Sequence, residues 1–172
     1  IYFGGGSPSL IDPKSIHKLI KTVRENFKLN DNIEITIEVN PDDVSFEYLQ
    51  ELSSVGINRL SIGIQSFFDS ELEMMNRVHN SGQSVQSIEW TAKLFDNFSV
   101  DLIYGVPSSN LYTWEKNLIQ ALSFDLPHLS TYALTIENKT VLAYQVKNND
   151  IQLLDDEGVK SQYDLMIGSC LL

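Results

Sequence analysis

Five short apolar segments alternate with amphipathic segments along the chain, and each is bounded by Gly, Pro, Asn or Asp. This pattern predicts strands separated by helices. The intervals between the segments leave room for a helix, which favours strand–helix units with parallel pairing. The predicted strands are Ile1–Phe3, Ile33–Val39, Arg59–Ile64, Ser99–Tyr104 and His128–Leu134.

Six helices are predicted between and after these strands. The first begins at Asp12-Pro13, an N-cap followed by proline at the first helical position. The second is capped by Ser45 and ends at Gly56. The others are expected near 69–75, 83–95, 113–122 and 155–167. The apolar stripe of the first helix is formed by Ile16, Leu19, Ile20, Val23 and Phe27.

Apolar and polar side chains alternate within the strands, so one face of the sheet is apolar and the other polar. In the second strand, for example, Ile35 and Ile37 point away from Thr36 and Glu38. A sheet covered by helices on both faces would have nearly continuous apolar strands. We therefore expect helices on one face and a polar interior on the other, as in a barrel or partial barrel. Five strand–helix units are too few to close a barrel of about eight strands.

Polar or glycine-rich residues lie at the C-terminal ends of four predicted strands: 4–6, Glu38, Gln65 and Gly105. Ligands of α/β folds bind at that edge, and consecutive glycines let a ligand approach the backbone closely. Asp101 adds a carboxylate to an otherwise apolar strand, where an unpaired charge needs a partner or a ligand. These residues together predict one binding site.

Ordinary structural roles also account for each of these residues taken singly. The glycine turn can merely join a strand to a helix, Glu38 can be a solvated carboxylate, and Gln65-Ser66 can be turn polarity. Arg77 is, on pattern alone, a helix-surface charge. The three histidines share no metal-ligand spacing and are expected to be surface or structural residues: His17, His79 and His128.

The amino-acid composition limits the classes of protein to which this chain can belong. The formal net charge of −11 repels phosphate backbones, which argues against a broad nucleic-acid surface. No apolar run approaches the roughly 20 residues that span a bilayer. The single cysteine, Cys170, excludes an internal disulfide and a multi-cysteine metal site within the chain, and it indicates a reducing, cytoplasmic compartment. Without a repeat or linker, 1–172 is expected to be one domain.

Six motifs occur in an order that is more specific than the strand–helix pattern: FGGGSPS at 3–9, EVNP at 38–41, GINRLSIGIQSF at 56–67, NRVH at 76–79, DLIYGVP at 101–107 and YALTIE at 132–137. Together they resemble the radical S-adenosylmethionine family of oxygen-independent coproporphyrinogen III oxidase-like proteins. The resemblance extends from residue 1 to about residue 165.

The resemblance implies a partial (β/α)6, TIM-like barrel of the radical S-adenosylmethionine type. In such proteins a loop after the first strand carries three cysteines that hold a [4Fe–4S] cluster, and S-adenosylmethionine ligates the fourth iron. That loop and the first strand are expected upstream of Ile1, so the chain would be a partial core domain with strands two to six. The implied chemistry is reductive cleavage of the cofactor to a 5′-deoxyadenosyl radical. With one cysteine, this chain alone is expected to be inactive.

The resemblance also implies which residues contact S-adenosylmethionine. The methionine end would be bound by Gly5, Gly6 and Ser7, where Ser7 replaces the threonine that is more common in the family. A carboxylate suits an ammonium or ribose hydroxyls, and a guanidinium suits a carboxylate. Further contacts would come from Glu38, Gln65, Arg77 and Asp101, with the Ala133 backbone near the adenine.

Two motif positions favour the heme chaperone branch over true coproporphyrinogen dehydrogenases. Ser66 and Asn40-Pro41 stand where the dehydrogenases tend to have aspartate. The expected ligands are thus S-adenosylmethionine and heme or a porphyrinogen, and the expected partner is a heme-acceptor protein. Two alternatives stay open. One is a nucleotide-binding module without radical chemistry, although Glu38 follows Gly6 too distantly for a dinucleotide site. The other is a truncated product without activity.

Overall fold

Five strands pair in parallel, in the order in which they occur along the chain, in the computed structural model, which describes residues 1–170. The strands are β1 (Tyr2–Phe3), β2 (Thr36–Val39), β3 (Arg59–Gln65), β4 (Phe98–Tyr104) and β5 (His128–Ala133). A 3-10 turn covers Pro8–Leu10. The helices are α1 (Pro13–Asn26), α2 (Phe46–Ser54), α3 (Asp69–Met74), α4 (Ser81–Leu94), α5 (Leu111–Leu122), α6 (Val141–Lys147) and α7 (Asp156–Cys170).

The strand order is that of a barrel wall. A doubly wound sheet reverses its strand order at a switch point, whereas a (β/α) barrel adds each strand beside the previous one. Here every neighbouring pair is consecutive in sequence. The prediction of an α/β fold with a partial barrel is confirmed.

Helices cover the apolar face of the sheet, as the alternation of the strand residues predicts. The strands contribute side chains that are fully buried, among them Ile37, Leu60, Ile62, Val100 and Leu102. The helices pack against them with Ile16, Ile20, Leu49, Leu52, Ile88, Trp114 and Leu118. Burial of this apolar area is the main term that stabilises the fold. The opposite, polar face of the strands is left to line a pocket.

The second strand is shorter than predicted because a side chain takes the place of its ladder partner. Asn58 Oδ1 accepts from the Ile35 N–H at 2.7 Å, and Asn58 Nδ2 donates to the Ile33 carbonyl at 2.8 Å. Backbone groups bonded in this way need no neighbouring strand. Pairing therefore begins at Thr36 rather than at Ile33.

One prediction about the helices was wrong, and one helix was not predicted. In α1 the stripe is narrower than expected, because Leu19 lies at its margin and is 50% exposed, while Phe27 follows the last turn and is 67% exposed. Helix α6 was not predicted. It begins at Val141, after the N-cap Thr140, whose Oγ1 accepts from the Ala143 N–H, but it buries no residue. No described helix is long and apolar enough to cross a membrane.

Candidate cofactor site

Most of the residues expected to contact a cofactor surround one pocket at the C-terminal edge of the sheet. The pocket has a volume of about 250 Å³. Its floor is the polar face of β2, β3 and β4, and its rim comes from the loop after β1 and from the connection between α3 and α4. The lining residues are Gly6, Pro8, Glu38, Val39, Asn40, Ser61, Gly63, Gln65, Arg77, Asp101 and Tyr132.

The glycine turn after β1 is bonded to the end of β2. The Gly5 N–H donates to Glu38 Oε2 at 3.0 Å, and the Tyr2 hydroxyl donates to Glu38 Oε1 at 2.8 Å. Gly5 and Gly6 have φ of 82° and 70°, which favour glycine, and no atom lies within 4 Å of where a Cβ would stand. At Gly4 a Cβ would lie 2.5 Å from the Tyr2 ring. A ligand can therefore approach the backbone of this turn directly, beside the Glu38 carboxylate.

A chain of polar side chains crosses the inner face from β3 to β4. Arg59 Nη2 donates to Ser99 Oγ at 3.0 Å, Ser99 to Ser61 Oγ at 3.1 Å, and Ser61 to Asp101 Oδ2 at 3.1 Å. Asp101 Oδ1 is buried and has no hydrogen-bond partner. Burial raises the pKa of the Asp101 carboxyl, although the nearby Ser130 hydroxyl and then the Ser61 hydroxyl act in the opposite direction. One carboxylate oxygen is thus left available to a ligand.

Gln65 reaches the pocket because β3 bulges at its end. Ile62 pairs with Val100, but Gln65 pairs with Leu102, so β3 has one more residue than β4 over this stretch. Gln65 has φ of 67° and is buried. A Cβ on Gly63 would lie 2.9 Å from Gln65 Nε2. The missing side chain at position 63 therefore leaves the space that the Gln65 amide occupies.

Arg77 is not the helix-surface charge that its pattern suggests, because α3 ends just before it. Asn76 has φ of 54°, and the Arg77 N–H donates to the Leu72 carbonyl at 2.9 Å, as in a Schellman-type helix end. The side chain is half-buried and, within residues 1–170, forms no ion pair. Burial lowers the pKa of the Arg77 guanidinium, while the field of Asp42 opposes this. Such a guanidinium is suited to an anionic ligand group.

Three expected contact residues lie outside the pocket lining, namely Gly5, Ser7 and Ala133. Ser7 precedes the 3-10 turn and is exposed, and Ala133 is exposed at the end of β5. Ala133 pairs in register with Tyr104, whose ring packs on Trp114 of the helical layer. The neighbouring residue Tyr132 lies on the inner face and lines the pocket.

Six lining residues were not expected as cofactor contacts from the sequence, namely Pro8, Val39, Asn40, Ser61, Gly63 and Tyr132. Gly63 carried a usable signal, since a glycine inside a strand often marks a bulge or a close approach. Tyr132 could have been assigned to the inner face by alternation from Ser130, which pairs with Asp101. Asn40 follows β2 directly and donates to Asp43 Oδ2 at 3.1 Å.

A second, larger cavity of about 790 Å³ adjoins the first, and Arg77 lines both. Its walls come from the end of α3, the strand ends of β4 and β5, and α6. They include apolar and sulfur-containing side chains, among them Met74, Met75, Ile103, Leu134, Val141 and Leu142. The polar pocket therefore opens towards a less polar space.

Comparison with protein-family models shows to which family the chain belongs. The family model described as the Radical SAM superfamily matches residues 1–118. The chain belongs to the radical SAM superfamily. Members of this superfamily use S-adenosylmethionine together with a [4Fe–4S] cluster. The alternative of a nucleotide-binding module without radical chemistry is not favoured.

The radical SAM chain has relatives with heme-related names. It is 40% identical over 147 residues to the heme chaperone HemW of Haemophilus influenzae, a match that covers 84% of this chain and 38% of the relative. With HemW of Bacillus subtilis it is 34% identical over 169 residues, 97% of this chain and 45% of the relative. The structure of coproporphyrinogen III oxidase (HemN) from Escherichia coli matches with a TM-score of 0.81 at 26% identity, covering 99% of this chain and 38% of that chain. The chain spans less than half the length of these proteins.

The residues of the radical SAM pocket fit S-adenosylmethionine by their chemistry. The cofactor has an amino group, a carboxylate and ribose hydroxyls. Glu38 and the unpartnered Asp101 Oδ1 can accept hydrogen bonds, the half-buried Arg77 guanidinium can pair with a carboxylate, and Gly6 offers open backbone. No group of three or more residues that could hold a metal ion occurs in the described range, 1–170.

Proposed function

We propose that this chain provides the S-adenosylmethionine pocket of a radical SAM protein that binds heme or a porphyrinogen. The observation that carries the proposal is the convergence of Glu38, Gln65, Arg77 and Asp101 on one pocket beside the glycine turn. The pocket of about 250 Å³ contains two carboxylates and an unpaired guanidinium, which suit a ligand that carries both a positive and a negative group. When bound, S-adenosylmethionine would supply radical chemistry, for which the cluster of the family is the electron donor.

Each side chain has a role in binding within this proposal. Glu38 and the backbone of Gly5 and Gly6 bind the amino-acid end of the cofactor, and Arg77 pairs with its carboxylate. Asp101 accepts from a hydroxyl or ammonium, because its Oδ1 has no protein donor. Ser7 and Ala133 belong to the proposal through the family resemblance, Ser7 at the methionine end and Ala133 near the adenine. The described residues are proposed to be one partial core domain; 171–172 lie outside them.

The heme chaperone role is proposed over porphyrinogen oxidation. It is supported by the relatives named heme chaperone and by Ser66 and Asn40 at the two positions where aspartate would favour the oxidase. A heme-acceptor protein and a cytoplasmic location are part of the same proposal. To separate the two roles, the parent protein is prepared without oxygen, and heme binding is compared with consumption of coproporphyrinogen. Turnover of coproporphyrinogen without heme binding would reject the chaperone role.

Binding of the cofactor by this chain is tested by calorimetry and NMR titration with S-adenosylmethionine, NAD and ATP. We expect saturable binding of S-adenosylmethionine alone. Substitutions Glu38→Gln and Arg77→Gln should each weaken it by about tenfold, the loss of roughly one charge-assisted hydrogen bond. Matched controls are Glu115→Gln and Arg24→Gln, which change exposed helix residues. Equal losses in variants and controls, or a preference for NAD or ATP, would overturn the assignment.

A further inference from the structure

His79 lies buried directly behind the Gln65 turn and does not line the cofactor pocket. It is 3% exposed. Its Nε2 is 3.0 Å from the Ile64 carbonyl oxygen, and because a carbonyl can only accept, Nε2 carries a hydrogen and donates. Its Nδ1 lies 3.4 Å from Asp42 Oδ1, in the loop that follows β2, a contact that is not a hydrogen bond. One ring therefore contacts two of the segments that shape the pocket.

The backbone at Gln65 is in a conformation that other residues must hold in place. Its φ of 67° is unfavourable for a residue with a side chain. The Ile64 carbonyl accepts from the Ser66 N–H at 2.8 Å, so Gln65 is the middle residue of a three-residue turn. The same carbonyl oxygen accepts from His79. His79 thus bonds to the residue that opens the turn.

A second set of buried hydrogen bonds holds the residues that follow the turn. The Phe67 N–H donates to Asn117 Oδ1 at 2.7 Å. The Ser66 hydroxyl donates to Glu71 Oε2 at 2.6 Å, and Asn117 Nδ2 donates to the same oxygen at 2.9 Å. The turn is therefore held on both sides: by His79 before Gln65 and by the Ser66–Glu71–Asn117 group after it.

We propose that His79 is a positioning residue of the cofactor pocket. It fixes the Ile64 carbonyl, and so keeps Gln65 in the left-handed conformation that directs its amide above Gly63. Its contact with Asp42 joins the same ring to the loop that carries Asn40. This inference rests on the proposed function, because it assumes that the pocket with Gln65 binds S-adenosylmethionine. His79 itself contacts no cofactor in this proposal.

The test compares His79→Gln with His79→Asn, two neutral amides that differ in reach. Glutamine can place its amide N–H near the position of Nε2 and so reach the Ile64 carbonyl, whereas the shorter asparagine can reach only the position of Nδ1. We expect S-adenosylmethionine to bind to His79→Gln within about threefold of the unsubstituted chain and to His79→Asn about tenfold more weakly. Backbone NMR shifts of Gln65 should change in His79→Asn and be largely kept in His79→Gln.

The indole N–H resonance of Trp114, which donates to the Gln162 carbonyl in the helical layer, reports whether each variant is folded. Equal affinities and equal Gln65 shifts in the two folded variants would overturn the proposal. An equal loss of affinity for S-adenosylmethionine in both variants would also overturn it. Should one variant fail to fold, Asp42→Asn is measured instead, again by its affinity for S-adenosylmethionine and by the backbone NMR shifts of Gln65. The proposal requires that the Gln65 shifts change in this variant. If the unsubstituted chain binds no S-adenosylmethionine, the proposed function fails, while the Gln65 shifts still decide whether His79 holds the turn.

Discussion

Glu38 Oε2 accepts a hydrogen bond of 3.0 Å from the backbone N–H of Gly5, and this contact fastens the glycine turn after β1 to the end of β2. Glu38 Oε1 meanwhile accepts from Tyr2. The carboxylate therefore shapes the turn before any ligand arrives. A group held in this way can bind a ligand without a large cost of ordering.

Removing the charge of Glu38 should loosen this turn. In Glu38→Gln one acceptor oxygen becomes an amide NH2, so either Tyr2 or Gly5 loses its acceptor. We expect the free energy of unfolding to fall by about 1 kcal/mol, the typical net value of a hydrogen bond. Urea denaturation measures the change. Glu115→Gln, on the exposed side of α5, should leave the midpoint within error; a similar fall in both would show that the effect is not specific to the turn.

A methyl group on Gly63 should disturb the pocket more than the fold. In Gly63→Ala the new Cβ would lie 2.9 Å from Gln65 Nε2 and 3.3 Å from Asn40 Oδ1. Both are side-chain ends that can move, so we expect about 1 kcal/mol of destabilisation and roughly tenfold weaker binding of S-adenosylmethionine. Gly168→Ala, where no atom lies within 4 Å of the new Cβ, is the control in a helix. Unchanged binding in Gly63→Ala would contradict the role of Gln65.

Asp101 should make stability depend on pH in a defined direction. Burial raises its folded-state pKa above the ordinary value of 3.8, so the unfolded chain releases this proton first. The contribution of Asp101 to stability is therefore fully present below pH 3.8 and is lost as pH rises through the folded-state pKa. At neutral pH, Asp101→Asn should thus be at least as stable as the unsubstituted chain, yet bind S-adenosylmethionine more weakly.

Denaturant unfolding from pH 3 to pH 8 checks this sign. The difference in stability between Asp101→Asn and the unsubstituted chain should move in favour of the variant as pH rises above 3.8. Asp96→Asn, at an exposed position before β4, serves as the control. A difference that moves in favour of the unsubstituted chain would show that Asp101 is stabilised as a carboxylate by its neighbours.

The chain by itself should hold no iron–sulfur cluster. It contains one cysteine, and [4Fe–4S] clusters are held by cysteine thiolates, typically four. After anaerobic incubation with iron and sulfide, followed by desalting, we expect no cluster absorbance and no stoichiometric iron. Stable retention of about four irons for each chain would contradict this expectation.

The sequence determined the layer arrangement because alternation is a local property of strands. The alternation of Ile35 and Ile37 with Thr36 and Glu38 predicts that one face of the sheet is apolar and packs under helices. The same alternation predicts that the other face is polar and lines a pocket. The strand ends at Glu38 and Gln65 were likewise predictable, since parallel strands end at one edge. The six ordered motifs indicate the family from the sequence alone.

Tertiary structure decided what depends on contacts distant in sequence. Asn58 shortens β2 by replacing its ladder partner, 23 residues from Ile35. A bulge at Gly63 and a left-handed φ at Gln65 lie next to residues that are bonded from two other segments: Ile64 by His79 and Phe67 by Asn117. Local pattern cannot predict the conformation of Gln65, because it is unfavourable alone and is stabilised only by the packed surroundings.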